Sequence, residues 1–232
     1  MGASFASASI VIAVYGHVGL AVRFLFAAYA FDILDGVIAR RSGGSSREGL
    51  MLDRAIDRLS QVVAPLIIYA SWLAGLEDQP SLLDIVLIAA YSAIIIPVSL
   101  YRLVYRIVWS LEYFHGLPLF VHAGLLLTSI VSSTPVNPGI LVIAALMSAL
   151  PVKYFRTSRR EAPSPMLLPR LLTVALLALL PYDNTLVKYA ALSVKWGLIA
   201  YIVVGPISYH IITHYGAKQQ KTKEDLKEKH IG

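Results

Sequence analysis

The sequence predicts an all-α fold: a polytopic integral membrane helix bundle of about eight apolar helices. Three observations carry this expectation. Of the 232 residues, 57% are hydrophobic and only 15% charged, with a mean hydropathy of +0.67, whereas a soluble domain carries about 25% charged residues. Apolar runs recur along the chain between Gly, Pro and Asn turn signals. Lys and Arg concentrate in alternate connections, as in a chain that crosses a membrane repeatedly. The absence of Cys excludes disulfides, thiolate catalysis and Cys-ligated metal. No stretch reads as a cleavable signal peptide. The net charge is +6, but in so apolar a chain lipid phosphates are the fitting anionic partner, and no nucleic acid is expected.

Residues 3–15 are apolar yet shorter than the roughly 20 residues a spanning helix needs. Gly16 to Gly19 reads as a turn, and 20–40 as a full-length helix. The next helix covers 50–75, with Pro65 expected to kink it. An acidic turn, Glu77 to Pro80, leads to a long helix over 82–110 that carries Arg102 and Arg106 at i, i+4. Tyr101, Tyr105 and Trp109 beside them suit a membrane interface. For the two arginines two readings stand: snorkelling to lipid headgroups, or a clamp on a phosphate or carboxylate. Glu112 to Pro118 breaks the pattern. Helices over 119–133 and 138–152 follow, joined by a Pro/Asn turn, and then the basic loop Lys153 to Pro165. Spans over 167–181 and 186–214 flank the turn Tyr182 to Asn184. Residues 1–216 thus form a membrane-embedded domain, and 217–232 a polar tail expected to be a frayed or surface-lying helix.

The connections after the second, fourth, sixth and eighth helices hold nearly all the basic residues, while the opposite ones hold Glu77, Asp78, Asp84 and Asp183. The positive-inside rule then puts the basic loops and both termini on the cytoplasmic side of the cell membrane.

Four carboxylates, Asp32, Asp35, Asp53 and Asp57, stand at that same side. The first two are spaced i, i+3 and the second two i, i+4, so each pair shares one helix face. A Gly/Ser turn flanked by arginines separates the pairs, and folding it would bring all four together. An aspartate near hydrocarbon costs roughly 2.5–3.5 kcal/mol on insertion scales. One reading is a solvated loop whose acids pair with Arg40, Arg41, Arg47, Arg54 and Arg58. The regular spacing favours another: hard oxygen ligands for divalent cations, whose charge removes the repulsion.

The spacing Asp32-x2-Asp35-Gly36-x2-Ala39-Arg40-x8-Gly49-x3-Asp53-x3-Asp57 fills all eight specified positions of a known signature. It resembles that of the CDP-alcohol phosphotransferases. The resemblance implies an integral membrane enzyme with a six-helix core, here followed by extra C-terminal helices. It implies transfer of a phosphoryl-alcohol group from a CDP-activated lipid to a hydroxyl acceptor with release of CMP. It also implies two Mg²⁺ or Mn²⁺ ions held by Asp32, Asp35, Asp53 and Asp57, with Asp57 as the general base. Asp32, Gly36, Ala39, Arg40, Gly49 and Asp53 would bind the CDP-alcohol, Arg40 at its diphosphate and the small residues around cytidine. A homodimer is the family expectation. Family members have a polar segment and a complete helix ahead of the motif helix. Either the true start therefore lies upstream of Met1 or the first helix is unusually short.

Weaker resemblances bear on the acceptor. Val63-Ala64-Pro65, Tyr113 to Pro118 followed by Ala123 to Leu126, and Leu146-Met147-Ser148 look like segments of phosphatidylserine synthases, in the same order. They favour L-serine, with CDP-diacylglycerol or CDP-archaeol as donor. Ser60-Gln61-Val62 departs from those synthases, and Asp57-Arg58 resembles inositol- and glycerol-phosphate transferases, so an inositol phosphate or glycerol phosphate acceptor stays open. Arg102 and Arg106 would bind the anionic group of either kind of acceptor. A transporter with a buried acidic ion site is the reading of another class. It leaves Gly36, Ala39, Arg40 and Gly49 at their fixed gaps unexplained.

Overall fold

A computed structural model describes residues 2–41, 47–108, 114–154, 174 and 177–228. These residues are mostly helical. The helices are α1 (Gly2–Val14), α2 (Val18–Arg41), α3 (Arg47–Arg58), α4 (Ala64–Ala74), α5 (Leu82–Val108), α6 (Leu119–Val131), α7 (Pro138–Ala149) and α8 (Thr185–Glu228). A π-helical turn, Leu59–Val63, joins α3 to α4 in one rod. The Gly/Ser turn at 42–46, the basic loop from residue 155 and most of the expected span at 167–181 lie outside the described residues.

The central helix is α6, with ten of its thirteen residues buried. It packs on α4 and α8, while α1 lies along α2 and against α4, and α5 lies along α7. Phe5 sets α1 on α2, its ring 5.0 Å from Phe31 and 5.6 Å from Phe24. Where α8 crosses α6, a Cβ at Gly124 would stand 2.6 Å from Leu198 Cδ1, so glycine permits the close approach.

Among the described residues, two helices are long and apolar enough to cross a membrane: Leu82–Val104 within α5 and Thr185–His210 within α8, with mean hydropathies of 2.2 and 1.7. Only 17% and 22% of their apolar windows are buried. A helix apolar all round belongs in a core or in hydrocarbon, and these two present their apolar faces outward. The helices α1, α6 and α7 are apolar but only 12–13 residues long, about 20 Å at 1.5 Å per residue. Beyond its apolar part α8 continues as helix to Glu228, so the polar tail begins as an extension of that helix.

One element was not expected from an all-α reading. Phe114–His115 and Lys153–Tyr154 form a two-stranded antiparallel ladder, β1 and β2, pairing Phe114 with Tyr154 and His115 with Lys153. The hairpin of α6 and α7 returns the chain to where it started, and the two breaks at its feet satisfy each other's backbone groups.

Candidate active site

Through Tyr29, α2 meets the π-turn that follows α3. The Tyr29 hydroxyl donates to Ser60 O at 2.7 Å, and it lies within electrostatic reach of both Asp57 and Asp32. Local sequence explains the contact. In the π-turn Ala64 N–H reaches back to Leu59 O. The next donor in that register belongs to residue 65, which is proline and has no N–H. Ser60 O is therefore left without a backbone partner, and the Tyr29 hydroxyl takes it.

Asp57 stands two residues ahead of the π-turn. Its Oδ1 accepts from Gln61 Nε2 at 3.3 Å. Asp32 and Asp57 are half-buried, while Asp35 and Gly49 are exposed. Gly36, Ala39 and Arg40 lie on the last turns of α2 and Asp53 on α3, but their side chains are outside the described residues, as is that of Arg106. Among the described residues no group of three or more possible ligands gathers as a metal cluster. Asp32 and Asp57, from different helices, both act electrostatically on Tyr29, and their carboxylate oxygens are hard donors. That chemistry fits Mg²⁺ or Mn²⁺.

The contacts that Arg58 and Arg102 make at this end could not be read from the sequence. Arg58 is buried, 7% exposed, and its Nε donates to Ser99 O of α5 at 3.1 Å. Its charge faces those of Asp57 and Arg54. Thus α5 is tied to the acid helices. One turn further along α5, Arg102 donates to Leu117 O at 2.7 Å and to Gly116 O at 3.5 Å. The Gly116–Leu117 corner is itself pinned to the end of α7, by Gly116 N–H to Val152 O at 2.7 Å and Leu117 N–H to Met147 O at 3.1 Å. Gly116 has φ +72°, and a Cβ there would fall 2.2 Å from Ser148 O, so no other residue fits.

A cavity of about 400 Å³ opens between α5 and α7, lined by Val98, Tyr101, Arg102, His115, Ser148 and Leu150 among others. Its α5 wall flanks Ser99, the anchor of Arg58. On β2, Tyr154 donates to Ile202 O of α8 at 3.0 Å. Burial, with Tyr201 adding, pushes the Tyr154 phenol up to about 12, so it remains a donor at neutral pH. The linked contacts from Tyr29 through Ser60, Arg58, Ser99, Arg102 and Leu117 place Asp32, Asp57 and this cavity at one end of the bundle. The opposite end is held by Tyr69 to Val136 O, by the buried Lys195 ammonium on Thr134, and by Arg23 over the Tyr182 ring.

Comparison with curated proteins gives no match. The family model for CDP-alcohol phosphatidyltransferase matches residues 1–153. That span holds α1 to α7, both acid-bearing helices and the corner that grips Arg102, and leaves α8 beyond it. With two thirds of its length so matched, this chain belongs to the CDP-alcohol phosphatidyltransferase family.

Proposed function

We propose that the protein is a multi-pass membrane enzyme that transfers a phosphatidyl-type group from CDP-diacylglycerol or CDP-archaeol to the hydroxyl of a small acceptor, L-serine in first place. The observation that carries this reading is the eight-residue spacing from Asp32 to Asp57. The contact of α2 with the π-turn at Tyr29, within electrostatic reach of both Asp32 and Asp57, supports it. The positive-inside distribution of Lys and Arg puts the acids and basic loops on the cytoplasmic face.

Asp32, Asp35, Asp53 and Asp57 would hold two divalent ions. Bound there, the ions supply charge neutralisation for the diphosphate and for the departing CMP. The acceptor oxygen bonds to the lipid-side phosphorus, the bond from that phosphorus to the CMP oxygen breaks, and the acceptor's proton passes to the Asp57 carboxylate. Arg40 contacts the diphosphate, and Gly36, Ala39 and Gly49 leave room for cytidine. Arg102 and Arg106 receive the anionic group of the acceptor.

A second acceptor class is favoured by one feature. Gln61, which replaces the aromatic residue usual in phosphatidylserine synthases, touches Asp57, and this departure keeps inositol phosphate and glycerol phosphate in view. The test is a radiolabelled panel of L-serine, inositol phosphate and glycerol phosphate with purified protein, CDP-diacylglycerol and Mg²⁺ or Mn²⁺. Lipid product and CMP should form with one acceptor and stop on chelation. No CMP from any acceptor, with folded protein and either metal, refutes the reading.

A further inference from the structure

A buried polar network at the centre of the bundle has no part in the chemistry above. His122 of α6 is fully buried. Its Nδ1 is 3.4 Å from the Tyr91 hydroxyl of α5 and its Nε2 is 2.8 Å from Ser148 Oγ of α7. The Tyr91 and His122 rings stack with centroids 5.7 Å apart. Ser148 Oγ donates in turn to Leu117 O at 3.1 Å, and Leu117 O also accepts from Arg102.

Only one proton arrangement makes every one of these contacts a hydrogen bond. A carbonyl can only accept, so the Ser148 proton points to Leu117 O. Ser148 Oγ then accepts from Nε2–H, which leaves Nδ1 to accept from the Tyr91 hydroxyl. All donors run one way, from α5 through α6 and α7 to the carbonyl that holds Arg102. Ser148 and Arg102 both line the 400 Å³ cavity. That wall of α5 also includes the turn whose Ser99 carbonyl anchors Arg58, next to Asp57.

We propose that Tyr91, His122 and Ser148 are positioning residues for Arg102, and that the cavity between α5 and α7 takes the anionic group of the acceptor, a carboxylate or a phosphate. The proposal rests on reading Arg102 as an acceptor-binding group. A guanidinium recognises a planar anion only when its fork is held in orientation. Here two carbonyls hold it, and the Leu117 carbonyl is held by a hydroxyl that cannot turn away without leaving the imidazole unpaired. Burial makes each of these bonds costly to leave unmade. A fixed cation at the polar end of a largely apolar cavity selects small acceptors that carry a negative group over neutral or cationic alcohols.

The test uses the full-length protein in detergent with CDP-diacylglycerol, following CMP release with L-serine as the carboxylate arm and glycerol 3-phosphate as the phosphate arm. Ser148→Ala and His122→Phe should raise the KM of whichever acceptor the wild type uses by about five- to tenfold, with the KM for CDP-diacylglycerol within about twofold of wild type. His122→Gln, which restores an N–H donor toward Ser148, should recover part of the loss seen in His122→Phe. Arg102→Gln should raise the acceptor KM at least as far. Ser148→Ala is the smallest change and keeps the test decisive if His122→Phe does not fold. An unchanged acceptor KM in Ser148→Ala, or parallel rises for donor and acceptor, overturns the positioning role. Equal use of ethanolamine overturns the anion assignment. If Arg102→Gln leaves the acceptor KM unmoved, the proposal falls while CMP release leaves the family reaction standing. If the wild type releases no CMP, both fall.

Discussion

Asp57 is the residue on which the proposed chemistry turns, and two of its neighbours in the structure are a donor and a tethered cation. Gln61 donates to its carboxylate and Arg58 follows it in the chain, held to α5. Asp57→Asn keeps this shape but removes the proton acceptor. Turnover should fall by about 10³-fold, within the range general-base catalysis supplies, while CDP-diacylglycerol binding stays within a few-fold. CMP release together with direct donor binding checks this, and near-normal turnover contradicts the role. Gln61→Leu removes one hydrogen bond to the carboxylate, worth about 1 kcal/mol, and should lower kcat roughly fivefold with little change in donor KM. An unchanged kcat would mean that the 3.3 Å contact is incidental.

At the scale of elements, two devices hold the site, and both begin with a residue that breaks a regular pattern. Pro65 withholds the N–H that the π-turn would direct to Ser60 O, and Tyr29 fills the vacancy from α2. Tyr29→Phe leaves that carbonyl unpaired, at a cost of about 1–3 kcal/mol, and should lower the melting temperature in detergent. Phe packs as Tyr does, so an unshifted melt would show that the hydroxyl contributes nothing. Gly116 turns the chain into the corner that grips Arg102. Gly116→Ala puts a Cβ against Ser148 O at a positive φ and should cost at least ~2 kcal/mol, seen as poor recovery of folded protein in size-exclusion chromatography. The sequence marked residues 112–118 as a break, and Pro65 as a kink. Neither the ladder of β1 with β2 nor the Tyr29 contact could be read there, because each pairs residues 31 or more positions apart, and periodicity reports only neighbours on one helix.

At the scale of the whole molecule, the described charged groups near the acids differ from those at the far end, where Lys195 and Arg23 are engaged by Thr134 and Tyr182. Arg58 and Arg102 stand with Asp32 and Asp57, while Glu77, Asp78 and Asp183 lie toward the end where Tyr69 meets Val136. With no native Cys, single cysteines report sidedness cleanly. Asp183→Cys should react with a membrane-impermeant maleimide on intact cells, and Arg159→Cys only after lysis. The reverse pattern would invert the proposed topology. The outward apolar faces of α5 and α8 fit the same picture, since little of either apolar window is buried among the described residues.

Local pattern alone determined a great deal about this protein: its helical class, nearly every helix start within three residues, and a motif whose fixed gaps name the family. These depend on composition and short-range spacing, which the chain carries without folding. Only the tertiary structure decided that Arg58 reaches α5, that Tyr29 ties α2 to the π-turn after α3, and that a buried Tyr–His–Ser chain ends at the carbonyl holding Arg102. Such contacts arise where separate helices cross, and the depth and rotation of each crossing are set by packing rather than by any signal within one segment.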